Sequence, residues 1–181
     1  MMAVFILASM LLFTTSLLIV AALRLHSVTS AILAIWLAAT GEIVILTEVL
    51  SPFHAARGWG YGIGECVVLV SAALLWKKRG SPGLPLPTNF RLTPAIKAHP
   101  LIITLLLVVI AALAYEGFIA IGTPPNNWDS MTYHLSRAAG WLQHHAVEYL
   151  PVQNARENAF QPNAEILILW TFSFLSRDTF A

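Results

Sequence analysis

The stretch Pro124-Pro125-Asn126-Asn127-Trp128-Asp129-Ser130-Met131-Thr132-Tyr133-His134 stands directly after the long apolar run Leu101–Gly122. At 1.5 Å per residue, about 20 apolar residues cross a ~30 Å hydrocarbon layer as a helix, and the run has that length. Pro124-Pro125 cannot continue such a helix, so it is predicted to end at Gly122–Thr123. Asn126 or Asn127 then caps a second helix that continues to His145. Along it Trp128, Met131, Leu135, Ala138 and Leu142 recur at three- and four-residue steps as an apolar stripe. Asp129, Thr132, Tyr133, Ser136 and Arg137 form the neighbouring polar face. A helix of that kind lies in the membrane interface. It puts the Asp129 carboxylate where a spanning helix leaves the bilayer.

The rest of the chain reads as membrane protein. Of its 181 residues 57% are hydrophobic and 10% charged, with a mean hydropathy of +0.73. Soluble domains carry about 25% charged residues. Met2–Leu23, Thr29–Leu50 and Trp59–Trp76 are further spans, and Ala164–Leu175 is a shorter apolar segment. None alternates with the period of a strand, and in lipid the backbone must satisfy its own polar groups, so all are predicted helical. Met2–Leu23 lacks a positive leading segment and is too long for a signal-peptide core, so it is read as an uncleaved span. The fold expected is an all-α polytopic membrane helix bundle, with an interfacial amphipathic helix in its first large outer loop. A net charge of +1 gives no field for nucleic acid. The single Cys66 makes an intrachain disulfide impossible.

Basic residues set the orientation. Lys77, Lys78, Arg79, Arg91 and Lys97 cluster between the third and fourth spans, Arg24 occupies the first loop, and Ser51–Gly58 holds only Arg57. The first and third connections are therefore expected inside, and the loop carrying Asp129 outside. Pro82, Pro85 and Pro87 mark residues 80–100 as a linker. It separates a three-helix section, residues 1–79, from a second part, residues 101–181.

The outer loop continues with Glu148-Tyr149-Leu150-Pro151, the polar stretch Val152–Asn158, and Phe160-Gln161-Pro162-Asn163-Ala164-Glu165 opening the next apolar helix. On spacing alone Asp129 reads most simply as a helix-start residue complementing the macrodipole. Taken with Asn127–Leu135, Trp141-Leu142-Gln143, Tyr149-Leu150-Pro151 and Gln161–Glu165, however, the segment resembles the first outer loop of GT-C membrane glycosyltransferases. The nearest branch resembles bacterial protein O-mannosyltransferases and the lipid A aminoarabinose transferase. The resemblance spans Leu101 to Leu175.

That resemblance implies an integral membrane enzyme, expected in a bacterial inner membrane. It would transfer a sugar from a polyprenyl-phosphate donor to a lipid, glycan or protein acceptor at the outer face. The family's presumed catalytic base maps onto Asp129. Many relatives carry a second acid beside it, where this chain has Ser130, which leaves metal binding by adjacent carboxylates unsupported; no cofactor is expected. The family's later loops have no counterpart before Ala181, so the chain reads as the first part of such an enzyme.

A single carboxylate suffices as base when the leaving group is a phosphate ester, and inversion at the anomeric carbon is the expected outcome. Arg137 and Arg156 are the candidates to hold the leaving phosphate, although each alone also fits an interfacial arginine. Tyr133 and His134 are further substrate-binding candidates; Tyr133 reads equally as an interface aromatic. His134, His144 and His145 lack metal-ligand spacing and read as solvated histidines. Glu148, Glu157 and Glu165 can supply a second carboxylate, Glu165 reading first as a helix-start residue. Glu42, Glu48, Glu65 and Glu116 within the spans keep open a transporter or channel subunit using Glu42 and Glu116. A non-catalytic scaffold is the third reading.

Overall fold

A computed structural model describes residues 2–85, 99–123 and 128–175. Among these, apolar sequence of bilayer-spanning length becomes helix in each case. The helices are α1 (Met2–Leu23), α2 (Val28–Leu50), α3 (Gly58–Lys78) and α4 (Pro100–Gly122). All four are long and apolar enough to cross a membrane, with mean hydropathies from 1.5 to 2.5 in their most apolar windows. Three shorter helices follow: α5 (Leu135–His144), α6 (Arg156–Ala159) and α7 (Asn163–Leu175). There is no strand among the described residues, and the chain is an all-α membrane helix bundle.

Local chemistry sets the turns. Arg24 adopts a left-handed φ of 53° after α1, and the Ser27 hydroxyl caps α2 by accepting from Ser30 N–H. Pro52 sits in a 3₁₀ turn, Ser51–Phe53, which His54 closes with a φ of 49°. Gly60 admits the chain behind this turn, because a Cβ there would lie 1.9 Å from the Ala55 carbonyl oxygen. After α3, residues 80–85 are not helical. Pro87, Arg91 and Lys97 fall outside the described residues, as do Pro124-Pro125 and the capping candidates Asn126 and Asn127.

Helix α7 decides the architecture. It packs against α1, α2 and α3 as well as α5, so the two parts separated in sequence by the linker share one core. Ile166, Leu169, Trp170 and Phe174 meet Ala8 and Leu12 of α1, Ile43 and Leu46 of α2, and Tyr61 of α3. Phe5 and Trp170 have ring centroids 5.6 Å apart, and Trp170 and Phe174 5.3 Å. By contrast, the spanning window of α4 has no buried residue.

The ends of the bundle are distinct. At one, Arg24 donates to the Arg79 carbonyl and joins the first connection to the basic end of α3. At the other, Ala56 N–H donates to the His145 carbonyl (2.9 Å), His54 Nδ1 to the His144 carbonyl (2.9 Å), and Val147 N–H to Ser51 Oγ (3.0 Å). The 51–57 turn thereby grips the lobe that follows Asp129.

The helix through that lobe departs from regular α periodicity. Residues 128–144 are continuous helix, but Ser130–His134 forms a π turn, in which Leu135 N–H bonds Ser130 O five residues back. The extra residue in the turn rotates everything after it by about 100°. The apolar stripe expected from Trp128 to Leu142 is consequently split. Trp128 and Met131 are exposed, as befits the interfacial end, whereas Arg137, Ala138 and Trp141 face the protein interior. Arg137 was expected on the polar face; the π turn carries it inward.

Candidate functional site

Asp129 lies in the first turn of this helix and Arg156 opens α6. Their side chains meet at 3.6 Å (Oδ1 to Nη1) with more than half of each exposed. Asn154 makes the meeting happen. Its Nδ2 donates to the Thr132 carbonyl in the π turn (2.9 Å), and its Oδ1 accepts from Arg156 N–H (3.2 Å). The Thr132 carbonyl also accepts from Ser136 Oγ, so the irregular turn offers its acceptor to two side chains. A carboxylate and a guanidinium from distant parts of the loop are thus held together on the solvent side of the lobe.

Behind this pair the lobe is braced by buried charge. Arg137 (1% exposed) and Glu165 (0%) approach to 3.2 Å. The Arg137 guanidinium also donates to the carbonyls of Phe160 (3.0 Å) and Arg156 (2.7 Å) and lies over the Trp141 ring. These bonds commit it to holding α5, α6 and α7 together, so of the two arginines expected for a phosphate only Arg156 presents its side chain outward. His134 gives Nδ1 to Glu165 at 2.9 Å, and the Tyr133 ring packs on His134 and Phe160. Glu165 Oε1 thus lies within reach of both His134 Nδ1 (2.9 Å) and Arg137 Nη1 (3.2 Å).

His144 pairs with Glu148 one turn later, and His145 ends α5 in the left-handed region at φ 57°. No group of three His, Cys, Asp or Glu side chains among the described residues converges as a metal cage. Sequence reasoning passed over Asn154 and Phe160. Asn154 carried one readable signal, an Asn two residues ahead of Arg156 that suits an Asx turn.

Within the bundle, Glu42 (6% exposed) and Glu65 (0%) are both buried. Trp170 Nε1 donates to Glu65 Oε1 at 2.8 Å, and Thr47 Oγ1 and Tyr61 OH lie 2.7 Å apart. Both Glu42 oxygens are enclosed without a hydrogen-bond partner among the described residues. Glu48 is exposed near the end of α2, and Glu116 is exposed on α4. The acids of the transporter reading, Glu42 and Glu116, therefore occupy different surroundings.

Set against known proteins, the chain matches no family model, no curated protein and no solved structure.

Proposed function

We propose that this chain belongs to an inverting membrane glycosyltransferase of the GT-C kind, working from a polyprenyl-phosphate sugar at the outer face of a bacterial inner membrane. The observation that carries the reading is the Asp129–Arg156 pair, an exposed carboxylate 3.6 Å from an exposed guanidinium. In the proposed step Asp129 takes the proton of the acceptor hydroxyl as its oxygen attacks the anomeric carbon. The bond from that carbon to the phosphate oxygen breaks, and the phosphate leaves with both bonding electrons, its charge met by the Arg156 guanidinium. Desolvation by lipid and substrate strengthens the attraction relative to the exposed resting pair.

The sidedness fits: the 51–57 turn has one basic residue, while Arg24, Lys77, Lys78 and Arg79 gather at the opposite end. The test is Asp129→Asn in membranes supplied with polyprenyl-phosphate sugar. Transfer is expected to vanish while expression and insertion stay normal; normal transfer removes Asp129 from the reaction.

A second reading, a transporter or channel subunit, draws on the buried acids Glu42 and Glu65 within the bundle. It is ranked lower because Glu116 lies on a helix without a buried face. Glu42→Gln abolishing solute uptake into liposomes would favour it.

A further inference from the structure

The lobe contains a cavity of about 200 Å³ that the Asp129 chemistry does not use. Its lining includes Arg137 and Trp141, the aromatic rings of Tyr149 and Phe160, and the carboxylates of Glu157 and Glu148. Glu157 is only 8% exposed, yet its carboxylate has no hydrogen bond or ion pair among the described residues. The charge of Arg137 is matched by Glu165, and Glu148 is paired with His144, so Glu157 is left as the unmatched group. A carboxylate only accepts hydrogen bonds, so a fitting ligand must donate them, and it must also offer apolar faces to Tyr149 and Phe160.

We infer that this cavity is the binding subsite for a single sugar ring, with Glu157 accepting its hydroxyl protons and Tyr149 and Phe160 flanking its C–H faces. The assignment of sugar rather than another polyol rests on the glycosyl-transfer reading. Size supports one ring only: drug-sized ligands need ~300–1,000 Å³, and this space holds about seven waters at ~30 Å³ each. An anionic phosphate is disfavoured beside Glu157 and Glu148. It belongs instead near Arg156, which directly precedes Glu157 and has its carbonyl held by Arg137. The ring can come from the donor or from a glycan acceptor.

The test uses the whole chain in lipid nanodiscs and saturation-transfer NMR with D-glucose, D-mannose and D-galactose. A second arm uses a short-chain polyprenyl-phosphate hexose. Binding is expected to weaken about tenfold or more in Glu157→Ala, in line with loss of a charged hydrogen-bond acceptor. It should also weaken in Tyr149→Ala, whose side chain is 79% exposed and whose removal leaves the packing intact. Asp129→Asn should still bind. Contact to free monosaccharides assigns an acceptor subsite, and contact only to the lipid-linked ring assigns a donor subsite. No ring contact from any sugar, or contact unchanged in both cavity variants, overturns the inference. Sugar binding without transfer from any lipid-linked donor sinks the enzyme reading alone, and normal transfer in both cavity variants sinks the cavity alone.

Discussion

Arg137 and Glu165, one on α5 and the other in the first turn of α7, meet at 3.2 Å with essentially no exposed surface. A buried ion pair adds little net stability over an apolar contact, but losing one partner strands the other charge. Glu165→Ala is expected to cost about 3–5 kcal/mol. Arg137→Lys is expected to be nearly as harmful, because an ammonium cannot reach the carbonyls of Phe160 and Arg156 together in the guanidinium's planar geometry. Thermal unfolding in detergent checks both, and transitions within 1 °C of the parent, less than the ~2–4 °C that even 1 kcal/mol produces, would contradict the bracing role.

Asp129 and Arg156 should behave oppositely. Their exposed pair is worth about 0–1 kcal/mol, so Asp129→Asn and Arg156→Ala should leave unfolding temperatures almost unchanged. Activity should fall in both, with Arg156→Lys recovering part of it, since a point charge still attracts phosphate without gripping it bidentately. Steady-state transfer assays beside melting curves separate these effects.

Glu65 and Trp170 tie α3 to α7 inside the bundle. Glu65→Leu should leave the indole N–H without an acceptor and lower stability by about 1–2 kcal/mol. Glu65→Leu combined with Trp170→Phe should lose less than the two single changes added together. A strictly additive double-mutant cycle would deny the bond any coupling.

The glycines of α3 give a steric contrast. Gly60→Ala forces a methyl against the Ala55 carbonyl oxygen and is expected to cost about 1–3 kcal/mol or more, loosening the turn that holds His145. A Cβ at Gly62 meets nothing within 4 Å, so Gly62→Ala should be neutral or gain about 0.5–1 kcal/mol. Melting temperatures of the two variants, measured side by side, check the contrast.

Sidedness can be tested in sealed vesicles after Cys66→Ala. Single cysteines at Phe53 and Gln153 should react with an impermeant maleimide from the same face, and one at Lys77 from the other. Labelling of Phe53→Cys and Gln153→Cys from opposite faces would break the shared end that the Ala56–His145 bond implies.

By itself the sequence determined the material and its segmentation. Long apolar runs have one stable form in lipid, because only a helix satisfies each backbone group within its own segment. That made α1 to α4 legible, together with the helix that carries Asp129. Contacts between segments were another matter. The docking of α7 among the first three helices depends on the complementary shapes of Phe5, Tyr61, Trp170 and Phe174, which no periodicity encodes. In the π turn the Thr132 carbonyl accepts from Asn154 and Ser136 side chains, and its single extra residue places Arg137 as a buried brace instead of a surface cation. Sequence spacing fixes direction only while a helix stays regular, so which of two similar arginines is buried and which exposed was decided in three dimensions.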